Sequence, residues 1–271
     1  MKRIMLHVAY DGTKYHGYQI QDGPDTIEGE LLKALTSLTS ESGIELIGGS
    51  RTDAGVHALD NVCVFDTEAS IPPEKYIFAL NQRLPEDIRI TESCEVDPAF
   101  HPRHCDSVKT YEYHIHTGKV PNPLKSRYSY YTYYSTNIQA MRDAAAYIVG
   151  EHDFSAFCAA GAQVDSKIRT IYSCDIIINP TSDDIPKANS ESSSDDITGT
   201  DSRPETDIII RISGNGFLYN MVRIIAGTLL EVGRGHIASE DVKDIIASMD
   251  RTKAGPTAPA LGLVLKKYDF V

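Results

Sequence analysis

A chain of 271 residues, 41% hydrophobic and 24% charged, holds enough apolar material for one large domain or two ordinary ones and is too apolar for wholesale disorder. No apolar run approaches the roughly 18 residues that a membrane helix needs. The N-terminus passes from two basic residues straight into an alternating pattern, without the apolar centre and cleavage site of a signal peptide, so a cytoplasmic protein is expected. A formal charge of −12 argues against a polyanion partner unless the charge is unevenly placed.

In chain order, Arg3 to Tyr10 alternates as a strand, and Thr26 is the predicted N-cap of a helix that puts Ile27, Leu31, Leu35 and Leu38 on one face. Strands are predicted at residues 44–47 and 61–67, a helix from Pro72-Pro73 to Arg83, and a strand at 88–91. The order β-α-β-β-α-β is that of a split, ferredoxin-like or RRM-like unit. A second round starts with the alternating strand Val108 to Ile115, followed by a helix over 137–149, two β-branched strands at 170–178 and 207–212, helices at 217–232 and 239–249, and a closing strand at 262–268. The expected fold is therefore α+β: two ferredoxin-like halves, mainly antiparallel, with a cleft between them. The expected division is 1–105 and 106–271.

Half of the negative charge lies between Pro180 and Asp207, where eight acids face two bases in a Ser-, Asp- and Pro-rich stretch. Such a segment buries too little surface to order itself, and it is predicted to be a loose, inflated hairpin connection that points away from any anion-binding cleft. Five scattered cysteines without a C-x-x-C pair suit reduced thiols. No Walker loop, dinucleotide fingerprint or H-E-x-x-H is present. His101, His104 and Cys105 cluster superficially like metal ligands but have no second pair to complete a site. The aromatic run Tyr128, Tyr130, Tyr131, Tyr133 and Tyr134 reads equally as a half-buried strand or as a stacking surface for bases.

The most unusual stretch is Gly48-Gly49-Ser50-Arg51-Thr52-Asp53-Ala54-Gly55-Val56-His57-Ala58, a glycine-bracketed loop between two predicted strands. Taken alone, an Asp two residues before a Gly is ordinarily a turn former. Arg51 nevertheless stands two residues from Asp53, and a guanidinium near a carboxylate favours its ionised form while offering a fork to phosphate.

The motif GSRTDAGVHA resembles the catalytic motif of the TruA family, the tRNA pseudouridine synthases A. Six further segments resemble that family in order along nearly the whole chain: Ala9–Gln19, Lys109–Tyr113, Gly150–Phe157, Lys167–Ile171, Gly216–Arg223 and Ala254–Leu263. The resemblance implies the pseudouridine synthase fold and the isomerisation of uridine to pseudouridine in tRNA, at positions 38, 39 and 40 of the anticodon stem-loop. It implies no cofactor and no metal, and a homodimer whose tRNA touches both subunits. A base inside a stem must be flipped out to react. By the same resemblance Asp53 is the nucleophile, Arg223 pairs with it, Arg51 helps hold the nucleotide out of the stack, Tyr111 stacks on the target uracil, and Leu263 is an apolar wall.

For RNA affinity the useful cations are Lys14, Arg51, Arg103, Lys109, Lys125, Arg127, Arg169, Arg223, Arg234, Arg251 and Lys253. They are expected to converge on one groove, where local potential can be positive although the molecule is anionic, because exposed charges beyond about 10 Å are largely screened. His114 and His116 share a strand face on which phosphate contact competes with ordinary surface polarity.

Overall fold

The alternation of Ile4, Leu6, Val8 and Tyr10 places these four side chains in the core on one face of β1 (Lys2–Tyr10) in the computed structural model, which describes residues 1–162, 164–180 and 205–271. Thr26 caps α1 (Ile27–Thr39) by accepting from the Gly29 amide, and Ile27, Leu31 and Leu35 are buried beneath it. β2 (Leu46–Gly48), β3 (His57–Thr67), α2 (Tyr76–Asn81) and β4 (Ile88–Val96) complete the first unit. Its strands lie in the order β4-β1-β3-β2, all antiparallel.

The second unit repeats the plan. β5 (Ser107–Thr117) leads through the short β6 (Tyr130–Thr132) to α3 (Ile138–Ala146), β7 (Gly150–Asp153), β8 (Ile168–Pro180) and β9 (Thr206–Gly214), then α4 (Met221–Gly233), α5 (Asp241–Ser248) and β10 (Leu263–Phe270). Its sheet runs β10-β5-β9-β8, again antiparallel, with β7 added at the edge. The two sheets fuse: β10 pairs in parallel with β3, Val264 opposite His57 and Leu265 opposite Ala58, giving one ten-stranded sheet. β2 pairs farther along the same edge of β3, at residues 63–65. The Asp53 loop, residues 49–56, therefore leaves the sheet where β3 exchanges β2 for β10 as its neighbour.

The structure differs from the sequence expectations at several ends. β8 and β9 continue to Pro180 and Thr206, and Asp207, which closes the acidic stretch and opens the expected strand 207–212, lies in β9; its carboxylate is gripped by Lys125 at 2.7 Å and by His116 at 2.9 Å. The remainder of the expected acidic loop lies outside the described residues. β6 and β7, three and four residues long, carry too few alternations to stand out from a loop. The expected helix from Phe217 begins instead at Met221, because Asn220 adopts a left-handed φ of 58° that breaks the turn. Among the described residues, no helix is long and apolar enough to cross a membrane.

α4 is buried almost all round, with Arg223 and Glu231 the only residues of the helix that reach beyond the core. It sits so close to the segment after α5 that a Cβ on Gly227 would fall 1.8 Å from the Pro256 carbonyl oxygen. Ala normally stabilises a helix interior by about 1 kcal/mol over Gly. Here the clash with backbone reverses the sign: Gly227→Ala is expected to destabilise by about 1–3 kcal/mol, read as a lowered midpoint in urea unfolding, whereas an unchanged or raised midpoint would show that the segment yields freely.

Candidate active site

The loop that carries Asp53 is held by its neighbours in the fold and has little freedom of its own. Asn61, fully buried in β3, accepts from the Ser50 amide at 3.2 Å and donates to the Ser50 carbonyl at 2.9 Å and to the Tyr10 hydroxyl at 3.1 Å. Tyr10 in turn meets the Thr52 hydroxyl at 2.7 Å. From the first loop, the Tyr18 amide donates to the Thr52 carbonyl at 3.0 Å, and Gly17, with φ of 95°, lies so near that a Cβ would come 2.8 Å from that same oxygen. The opening segment Ala9–Gln19 thus serves as a backing for the Asp53 turn, and its glycine permits the approach.

Asp53 faces Arg223 across 3.4 Å, from the carboxylate to the guanidinium, and both side chains are mostly buried. The guanidinium is fixed from two other sides: it donates to the Ala258 carbonyl at 2.8 Å and to the Asn220 side-chain oxygen at 2.7 Å. The left-handed turn at Asn220 is what aims that oxygen back at the helix it precedes. Burial pushes the Asp53 carboxyl above the usual carboxylate range, and the charge of Arg223 draws it part of the way back.

A cavity of about 890 Å³ opens in front of Asp53, within the ~300–1,000 Å³ typical of small-molecule sites. Tyr111, Leu263 and Arg51 line it, and Arg223 stands behind Asp53, outside the lining. Tyr111 is 8% exposed and meets Phe217 edge to face at 5.1 Å. Burial drives its phenol further up from the ordinary value, with the Asp53 charge adding to the effect, so the hydroxyl holds its proton firmly. Leu263 opens β10 opposite Tyr113, and Arg51 is exposed at the rim.

Not all the expected cations converge. Arg51, Arg103, Lys109 and Arg169 line the cavity. Lys14 pairs with Asp87 at 3.2 Å, Lys125 with Asp207, and Arg234 with Glu231 at 2.8 Å, while Arg251 serves the Ala254 and Gly255 carbonyls. His116 is buried against Asp207 and His114 leans on Glu112 at 3.1 Å, so the strand face they share is engaged within the protein. His101 and His104 stack on each other, ring centroids 3.9 Å apart. Of the aromatic run, Tyr130 and Tyr131 enter β6, and Tyr128 donates to Asp11 at 2.9 Å. Asn61 and Asn220 were not singled out from sequence; the one available signal for Asn61 is a polar residue at the head of an apolar strand. The segment Gly214-Asn215-Gly216, which reads only as a turn, forms part of the cavity wall through Asn215 and Gly216.

A family model described as tRNA pseudouridine synthase matches residues 6–104 and 144–270, most of the chain. The chain belongs to this family. Among its relatives, the tRNA pseudouridine synthase A of Thermoanaerobacter sp. (strain X514) is 44% identical over 270 residues, covering 100% of both chains. That of Bacillus subtilis (strain 168) is 42% identical, covering 97% of each, and that of Shouchella clausii (strain KSM-K16) 39% identical, covering 100% of this chain and 94% of its own. The matched ranges include the Asp53 loop, α4 with Arg223, and β10 with Leu263; the β5 strand that carries Tyr111 falls between them.

A carboxyl whose pKa is higher in the folded than in the unfolded chain weakens the fold once ionised; the penalty is present above the folded pKa and relieved as pH falls through it. Asp53→Asn removes that penalty while Arg223 keeps its Ala258 and Asn220 acceptors. The variant is expected to melt at a higher temperature than wild type at pH 7, with the difference shrinking towards pH 4; a lower Tm at pH 7 would show that the ion pair outweighs desolvation.

Proposed function

We propose that the protein isomerises uridine to pseudouridine in tRNA, at positions 38, 39 and 40 of the anticodon stem-loop, with Asp53 as nucleophile and with neither cofactor nor metal. The observation that carries this reading is that Asp53 is the only carboxylate lining the cavity among the described residues, and that it is backed by a guanidinium which does not itself occupy the space. A carboxyl group attacks in its ionised form. Arg223 favours that form, and the cavity leaves the front of the carboxylate open to a nucleoside.

The target uridine is buried in its stem until it is flipped. In this reading the cationic rim, Arg51 included, draws the backbone in and holds the nucleotide out, and the uracil lies against Tyr111 with Leu263 as the apolar boundary. Asp53 adds to the ribose carbon or to the uracil ring, the glycosidic C–N bond breaks, the base turns, and a C–C bond forms at uracil C5. The C5 proton then leaves to solvent, N1, freed by the broken glycosidic bond, takes up a proton, and the bond to Asp53 breaks to regenerate the carboxylate, so atoms and charge balance without a redox partner. The raised pKa of Tyr111 favours a stacking role over removal of that proton. The protein is further proposed to act as a cytoplasmic homodimer, with residues 1–105 and 106–271 supplying opposite walls of the cleft.

Release of tritium from uracil C5 in labelled tRNA tests the reading: wild type releases it in the presence of EDTA, and Asp53→Asn is slower by about three orders of magnitude or more. No release by wild type overturns the proposal. A second expectation concerns pH. Because Asp53 must be ionised, kcat/KM falls on the acid side, and Arg223→Gln, which removes the group that lowers the Asp53 pKa, moves that acid limb to higher pH; an unmoved limb would mean that another group sets it.

A further inference from the structure

Lys109 is a cavity-lining cation with no carboxylate partner among the described residues, and the reaction as described above gives it no role. It lies on β5 two residues before Tyr111, and the unbroken register of β5 against β9 puts both side chains on one face, about 6.6 Å apart along the strand. Both line the cavity that Asp53 faces. One of its ammonium protons goes to the Gly49 carbonyl at 3.1 Å, and the charge sits 4.7 Å above the ring of Tyr268 from β10.

Three further cations line the same cavity as Lys109: Arg103 from the segment after β4, Arg169 from β8 and Arg51 from the Asp53 loop. Among the described residues no carboxylate pairs with Arg51, Arg103 or Lys109. Asp53, the only carboxylate that lines the cavity among the described residues, is committed to Arg223. A half-buried ammonium sharing its cavity with three guanidinium groups is unfavourable unless an anion joins it. The described residues supply none, so the anion is assigned to the ligand. Arg51 and Arg103 are exposed and Arg169 already donates to the Ser166 and Ile168 carbonyls at 3.0 and 2.6 Å, which leaves Lys109 as the deep end of the cationic track.

We propose that Lys109 binds the backbone phosphate of the flipped nucleotide itself, one ribose away from the base on Tyr111, and so fixes where the glycosidic bond lies relative to Asp53. This rests on the pseudouridine synthase reading and adds to it a particular contact at the reacting nucleotide. Burial and the three arginines lower the Lys109 pKa to about 8. The free site is therefore mostly charged at neutral pH and loses its charge just above it, while a bound phosphate restores the proton.

The experiment compares wild type, Lys109→Met and Lys109→Arg for tRNA binding at several salt concentrations and for C5 tritium release. Lys109→Met is expected to weaken binding about tenfold or more, the effect of losing one charge-assisted contact, and to reduce the slope of log K against log salt by about 1. Wild-type affinity is expected to fall between pH 7 and pH 8.5 more steeply than that of Lys109→Arg, which stays charged and restores most of the binding. If Lys109 merely props the Asp53 loop through Gly49, Lys109→Met lowers kcat with an unchanged salt slope and the pH dependences of wild type and Lys109→Arg coincide; that result overturns the proposal. Unweakened binding by Lys109→Met overturns it equally. Wild type without tritium release would instead remove the parent reading, so the two failures are distinct.

Discussion

A carboxylate withdrawn from water becomes harder to ionise, and a guanidinium placed against it recovers part of that loss; the meeting of Asp53 with Arg223 is such a balance, and much of the fold is arranged around it. The two residues are 170 positions apart in the chain and belong to different halves of the repeat. Their contact depends on the parallel pairing of β3 with β10, which joins the two sheets and brings α4 over the Asp53 loop. On one side the loop is pinned by Asn61, Tyr10 and Tyr18; on the other Arg223 is pinned by Ala258 and Asn220. These contacts fix both partners in the free protein, and a fixed charge contributes most to a reaction when it is preorganised.

The same geometry resolves the conflict between an anionic protein and an anionic substrate. Net charge governs solubility and long-range association, whereas a cleft responds to the charges within a Debye length of it. Among the described residues, four cations and one carboxylate line the cavity. Several of the remaining bases are neutralised by acids elsewhere on the surface, as Lys14 is by Asp87 and Lys125 by Asp207. A chain with a charge of −12 thus keeps a positive interior groove.

Much of the architecture was legible in the linear pattern. Strand alternation in β1 and β5, the Thr26 cap and the amphipathic face of α1 are local signals, and local physics decides them. The β-α-β-β-α-β order, twice repeated, followed from those elements. The departures occurred where the local signal was weak or misleading. β6 and β7 are too short to alternate visibly, and Phe217–Asn220 looks helical until one residue with positive φ stops the helix. Asp207 belonged both to the acidic stretch and to the expected strand 207–212, and register with β8 and an ion pair to Lys125 tie it to the strand.

The sequence by itself determined the types of the elements, the position of the Asp53 turn, and the set of residues from which a site could be made, because these depend on neighbours within a few positions. Only the tertiary structure decided which of eleven candidate cations share a cavity, that Arg223 stands behind the carboxylate, and that Asn61 and Asn220 brace the pair. Those outcomes are fixed by strand register and helix placement across more than a hundred residues, where a shift of one position turns a side chain to the opposite face.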